Sequence, residues 1–257
     1  MYYNLNVNSI FYRDKEKRMR TSRRFMLNAV AVMLFIGASY AANADEPRPE
    51  SPKQYYGAEL CNYEGFKCVK VNHRSRWDKM FPNLRERELV KRLNRTNMPL
   101  YMRHWIVVPT NLQNITHMDI APFRLHYDTQ GKRTIVVDLS LHAFGAYNAD
   151  GTLAHWGPIS GGKDYCKDID GPCKTITGDF KITRKDNEEC KSGQFPTNTN
   201  GGAPMPYCMH FYRGFALHGS TLPGYHGSHG CVRLFYDDAK WLNQHFAKVG
   251  TRVVVTN

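Results

Sequence analysis

Seven cysteines in 257 residues, Cys61, Cys68, Cys166, Cys173, Cys190, Cys208 and Cys231, constrain this chain more than any other feature. If the chain cross-links itself, an odd count leaves one thiol over. Proximity along the chain pairs Cys61 with Cys68, Cys166 with Cys173 and Cys190 with Cys208, out of the roughly 15 pairings that six cysteines allow, and leaves Cys231 free. Such bridges persist in an oxidising compartment. The competing use is zinc, since 11 histidines are also present. No Cys-x2-Cys pair exists, and the intervals between proposed partners are too long for a zinc knuckle, so no metal site is expected.

The amino terminus bears on the compartment. A basic stretch ending in Arg20-Thr21-Ser22-Arg23-Arg24, an apolar run from Ala29 to Ala38 and then Ala42-Asn43-Ala44 form the three regions of an export signal over residues 1–44. The apolar run is shorter than the ~20 residues a membrane-spanning helix needs, so no stable anchor is expected once the signal is cleaved. Met19 opens a more ordinary signal, and Ser22-Arg23-Arg24-Phe25-Met26-Leu27 is similar to a twin-arginine signal, with the general secretory route favoured. Of the net charge of +12, the signal's seven Lys/Arg against two Asp/Glu account for five, leaving +7 on the remainder. That favours acidic surroundings. Export, and the lack of a Lys/Arg-dense helical stripe with interleaved aromatics, argue against nucleic acid.

The chemistry concentrates in Ser228-His229-Gly230-Cys231-Val232-Arg233, with His218-Gly219-Ser220 upstream. Acyl transfer by a thiol requires a base within hydrogen-bond reach and backbone N–H groups where an oxyanion develops. His218 or His229 can be the base, and Gly230 lets the backbone bend toward the thiol. Ser220 lacks the Gly-x-Ser-x-Gly surroundings of a serine nucleophile.

These residues resemble the signature of the YkuD family of L,D-transpeptidases: His-Gly, a loop, then Ser/Thr-x-Gly-Cys, a hydrophobic residue and Arg or Asn. The loop here is short for the family. Thr177-Gly178-Asp179-Phe180 resembles the Thr-Pro-x-Gly-x-Phe strand of the same domains, with Ile176 where the Pro usually sits. The resemblance implies Cys231 as nucleophile, His218 as proton acceptor and donor, and the Gly219 carbonyl as its orienting group. It also implies His229, Gly230 and Cys231 amides as the oxyanion hole. Arg233 suits a substrate carboxylate, with an ion pair to Asp237 or Asp238 as an equal alternative. Ser228, Tyr207 and His226 are candidates to contact substrate, the last two alternatively being ordinary loop residues. No cofactor is implied.

Before this half, 45–56 is a Pro-rich tether and 57–120 a small module. Its reading is a strand at Val69 and Val71, Trp77, Met80, Phe81 and Leu84 at helical spacing, a helix near Arg85 to Leu93, and a closing strand Ile106-Val107-Val108-Pro109. This run resembles a LysM module, which binds peptidoglycan glycans, although His73-Arg74-Ser75 stands where a Gly-Asp-Thr turn is usual; a spacer keeping only the fold is the alternative. Trp77 and Trp105 read as core residues. Residues 131–257 read as alternating strands: a half-buried strand from Ile135 to His142, a hairpin turn at Asn148-Ala149-Asp150-Gly151, and a strand through Phe211, Phe215 and Leu217 to His218. A helix capped by Asp237 follows, with Trp241, Leu242, His245 and Phe246 inward, and the chain closes on Val253-Val254-Val255. The fold class is therefore mainly β: an L,D-transpeptidase-like β-sandwich with a short helix, preceded by a small α+β LysM-like module.

The expected activity is a periplasmic or cell-wall peptidoglycan L,D-transpeptidase. Cys231 forms a thioester with a stem peptide, releases D-Ala and passes the acyl group to an amine. Water as acceptor makes an L,D-carboxypeptidase, and a structural Cys231 makes a non-catalytic wall-binding protein. The partners implied are stem peptides and, through the LysM-like module, glycan. Papain-like proteolysis is disfavoured, because the order Cys before His and the aromatic neighbour of that signature are missing.

Overall fold

A computed structural model describes residues 54–257. The export signal expected over 1–44, and the tether up to residue 53, lie outside the described residues. Among the described residues no helix is long and apolar enough to cross a membrane.

The N-terminal module consists of β1 (Phe66–Lys70), α1 (Trp77–Met80), α2 (Leu84–Leu93) and β2 (Trp105–Pro109). β1 and β2 pair antiparallel, and the Cys61–Cys68 disulfide fastens the preceding turn to β1. The helical spacing from Trp77 to Leu84 is not one helix. Pro82 cannot donate a backbone bond, so α1 stops at Met80 and α2 starts afresh behind Asn83, whose side chain accepts the Glu86 N–H at 3.3 Å. Asn94 ends α2 and is buried. Its amide donates to the Val90 and Val107 carbonyls and its oxygen accepts the Val107 N–H at 2.8 Å, locking helix to strand.

The second half is a single curled sheet of nine strands: β3 (Thr134–Asp138), β4 (Ala143–Tyr147), β5 (Leu153–Ser160), β6 (Gly178–Lys181), β7 (Arg184–Lys185), β8 (Met209–Tyr212), β9 (Phe215–Gly219), β10 (Val232–Leu234) and β11 (Arg252–Thr256). Their order is β6-β11-β3-β4-β5-β10-β9-β8-β7. The sheet curls until its ends meet, with the Phe180 ring of β6 5.4 Å from the Phe211 and Tyr212 rings of β8. The concave side encloses Ile135, Val137, Phe144, Ile159, Leu217, Val232, Leu234 and Val253, closed by Leu242 and Phe246. Each such side chain fully removed from water stabilises the fold by about 1.5–3 kcal/mol before entropy is counted.

Five sequence expectations change here. β3 is not half-buried: Val136 on its outer face packs with Ala143, Tyr147 and Trp156 against Leu89, Leu93 and Val107 of the module, so both faces are covered. It also ends at Asp138, before a turn that places His142 at φ +47°. The strand expected through Phe211 to His218 is a hairpin, β8 and β9, reversing at Arg213-Gly214. After Cys231, α3 (Tyr236–Trp241) runs into a π-type turn (Leu242–Phe246) closed by Ala247 N–H on the Leu242 carbonyl at 2.7 Å. Asp237 makes no capping bond and His245 is exposed.

Module and sheet are also joined through charge. Asp238, only 1% exposed, takes both guanidinium nitrogens of Arg92 at 2.8 Å and His155 Nε2 at 2.8 Å. Burial alone would raise its carboxyl, but Arg92 and His155 outweigh it and hold the group below the usual carboxylate range. A Cβ on Gly157 would collide with the Asp238 carboxylate, so this β5 position requires glycine.

Candidate active site

β9 and β10 run parallel in neighbouring positions, with Leu217 opposite Val232 and His218 opposite Arg233. Leu217, Val232 and Leu234 face the main core. Because side chains alternate along a strand, Ala216, His218, Cys231 and Arg233 share the other face, with strands about 4.8 Å apart. The sheet register thus sets His218 and Cys231 on one face of neighbouring segments although 13 positions separate them in the sequence.

His218 is 5% exposed and its Nδ1 lies 2.9 Å from the Gly219 carbonyl. A carbonyl only accepts, so Nδ1 carries the proton and Nε2 keeps a lone pair. Burial pushes this imidazole down to about 4; the Gly219 carbonyl works the other way, and Arg233 and His210 add to the depression. Cys231 is the free cysteine among the described residues. It packs against Cys190, Met205, Cys208 and Ala216, and its thiol lies 3.6 Å from the Gly214 carbonyl. Burial pushes the thiol up, with the Ala216 backbone N–H and Arg233 pulling the other way. The resting pair is therefore thiol and neutral imidazole.

The turn before Cys231 is held from within. Gly230 has φ +121°, and a Cβ there would meet Phe215 at 2.9 Å. Thr175 Oγ1 donates to the Gly230 carbonyl at 2.8 Å and accepts the Gly162 N–H at 2.9 Å. Ser228, buried, donates through Oγ to the Cys231 carbonyl and accepts the Gly230 N–H at 3.0 Å. Ser228 is thus an internal staple rather than a substrate contact. The Gly230 N–H, expected in the oxyanion hole, is committed to Ser228 instead.

Other expected residues divide. His229 turns to Asp168, 2.9 Å from both carboxylate oxygens, and its ring lies 4.4 Å from Phe195. His226 is bonded through both ring nitrogens: Nδ1 accepts the Gly161 N–H at 2.9 Å, Nε2 donates to the Leu139 carbonyl at 3.1 Å, and the ring stacks on His142 at 4.0 Å. Tyr207 is a core residue whose hydroxyl reaches Glu188 at 3.0 Å. Arg233 does not pair with Asp237 or Asp238; among the described residues its guanidinium has no hydrogen-bond or ion-pair partner, and Asp238 is taken by Arg92 and His155. Thr175, Asp168 and the Asp238 cluster carried no sequence signal, since each acts on a partner more than 50 residues away.

The three disulfides are Cys61–Cys68, Cys166–Cys173 and Cys190–Cys208, the pairing that proximity suggests. Two of them flank the turn: the Cys166–Cys173 loop carries Asp168 to His229, and Cys190–Cys208 backs Cys231.

Residues 132–255 match the family model of YkuD, the L,D-transpeptidase catalytic domain. The expected YkuD-type domain is thereby met, and the curled sheet with its short helices matches the L,D-transpeptidase fold. Similar solved structures include an L,D-transpeptidase from Xylanimonas cellulosilytica, at 25% identity and TM-score 0.47, covering 58% of this chain and 71% of that one. Another, from Stackebrandtia nassauensis, has 22% identity and TM-score 0.42, with coverage of 55% and 63%. A third, from Mycobacterium smegmatis, has 22% identity and TM-score 0.40, with coverage of 49% and 59%. The chain thus spans less than two thirds of the last two. No curated protein matches it.

Proposed function

We propose that the protein is an exported peptidoglycan L,D-transpeptidase with Cys231 as nucleophile and His218 as its general base and acid. The observation that carries this reading is the shared face of His218 and Cys231 on parallel neighbours, with His218 Nδ1 engaged by Gly219 and Nε2 left as acceptor.

In the first half-reaction Cys231 Sγ bonds to the carbonyl carbon preceding the terminal D-Ala of a stem peptide, and the thiol proton passes to His218 Nε2. The oxyanion is received by the His229 and Cys231 amides, the Gly230 amide being engaged elsewhere. Collapse breaks the peptide C–N bond, His218 returns its proton to the leaving nitrogen, and D-Ala departs from a thioester. An amine of a second stem then attacks, gives its proton to His218, and releases the cross-linked product with the thiol restored. Water in place of the amine gives carboxypeptidation. Arg233, without a hydrogen-bond or ion-pair partner among the described residues and on the same face, suits a stem-peptide carboxylate. The three disulfides accord with an oxidising location such as a periplasm or cell wall. The strand-helix-helix-strand module is a candidate glycan contact, as its LysM likeness implies.

The test is mass spectrometry of products from disaccharide tetrapeptides. The expected result is D-Ala with a cross-linked dimer or D-amino-acid exchange product, abolished by Cys231→Ala. Substrate recovered intact from the wild type would overturn the proposal.

A further inference from the structure

We infer that Asn97 of the N-terminal module is a positioning residue for the reaction, acting through the backbone of Leu222; this rests on the function proposed above. Segment 220–227 joins the end of β9, which carries His218, to the turn that carries Cys231. Its two ends are tied to the sheet. The Ser220 N–H donates to the Leu234 carbonyl at 2.9 Å, and the Gly227 N–H donates to the Gly161 carbonyl at 3.0 Å. Ser160 Oγ donates to the Tyr225 carbonyl at 2.7 Å and accepts the Gly227 N–H at 3.0 Å.

Between these ties the segment's hydrogen bonds come from the module. Asn97 Oδ1 accepts the Leu222 N–H at 2.8 Å, while the Asn97 N–H donates to the Leu222 carbonyl at 3.3 Å. Thr96 Oγ1 donates to that carbonyl at 2.8 Å, and the Tyr56 N–H donates to the Gly224 carbonyl at 2.8 Å. Gly224, at φ +89°, lets the segment press onto Arg103, whose Nη1 would lie 2.6 Å from a Cβ there. Leu222 is buried while Asn97 is half-buried, so Asn97 can be changed without opening a core. The module thus holds the middle of the short link that runs from the strand of His218 to the turn of Cys231. A displacement of about 1 Å between reacting groups can cost about 100-fold in rate.

The experiment compares the full chain with Asn97→Ala and Asn97→Asp; Asp keeps the 2.8 Å acceptor and gives up the weaker 3.5 Å contact of Nδ2 with the Ser220 carbonyl. Three quantities are measured: kcat and KM for D-Ala release from a disaccharide tetrapeptide, the pH profile of Cys231 alkylation by iodoacetamide, and the thermal midpoint. Asn97→Ala is expected to lower kcat by about 10- to 100-fold with KM little changed, and to shift the alkylation profile. The thermal midpoint should stay near the wild type, and Asp should recover most of the rate. Unchanged kcat and an unchanged profile in Asn97→Ala overturn the inference. So does a loss that follows the unfolded fraction and is not recovered by Asp. Alkylation needs no wall substrate, so a wild type that releases no D-Ala defeats the proposed function while the alkylation profiles still decide the role of Asn97.

Discussion

Burial acts in opposite senses on the two residues of the proposed catalytic pair, lifting the Cys231 thiol and depressing the His218 imidazole, so neither is charged at rest. A thiolate–imidazolium pair would alkylate fast on the acid side of neutrality; a neutral pair alkylates with a rise above the ordinary thiol range near pH 8.5. The rate of iodoacetamide modification of Cys231 should therefore climb only in alkaline solution, and a rapid plateau at pH 6 would contradict the assignment. His218→Ala should abolish D-Ala release. His229→Ala should retain it, because that ring is turned to Asp168 and Phe195. Measuring both variants on one substrate decides the matter, and the reverse pattern would make His229 the base. Arg233→Lys keeps the charge but loses the planar fork, so KM for the tetrapeptide should rise several-fold if Arg233 holds a carboxylate.

Among elements, the parallel contact of β9 with β10 sets the site, and the Asp238 cluster sets how α3 meets α2 and β5. Asp238→Ala leaves Arg92 and His155 facing each other without their anion, which should cost on the order of 3–5 kcal/mol in denaturant unfolding. A change below about 1 kcal/mol would mean that water replaces the carboxylate freely. Much at this level was legible in the sequence. The hairpin turn at Asn148-Ala149-Asp150-Gly151 has its Gly151 at φ +88°, and the closing Val253-Val254-Val255 lies within β11. The β8–β9 hairpin was missed because Arg213 occupies a positive-φ position for which its residue type gives no signal. β3 was misread because one face is covered by the module, which no local pattern reveals. The motif singled out Cys231, His218 and Gly230 as candidates, but not the Ser228 staple, the structural bonding of His226 or the Asp168 contact, all of which depend on tertiary partners.

At the scale of the whole molecule, histidines held neutral in buried or half-buried sites are expected to make the fold sensitive to acid. His117 is held down to about 3 by burial with Arg92 and His155 nearby, His218 to about 4, and His142, His226 and His210 are depressed as well, each chiefly by burial. Unfolded, each binds a proton near pH 6.5, so between about pH 6.5 and 4 the unfolded chain holds more protons and stability falls as pH falls. Asp238 acts in a lower window: its contribution is present above its unfolded value near 3.9 and is lost as pH falls through the depressed folded value. The thermal midpoint should drop steadily from pH 7 to 4.5, and His117→Phe should flatten part of that slope; a midpoint constant over this range would refute the account. The same scale explains why the candidate site was readable from one short motif while the module's contacts were not: those with segment 220–227 join residues about 125 positions apart. The most direct test of the central claim is peptide mapping after exposure to a carbapenem, which traps the nucleophile of YkuD-type enzymes. One stoichiometric acyl adduct on the peptide bearing Cys231, absent in Cys231→Ala, is the predicted result; no adduct, or Cys231 recovered bridged to another sulfur, would contradict it.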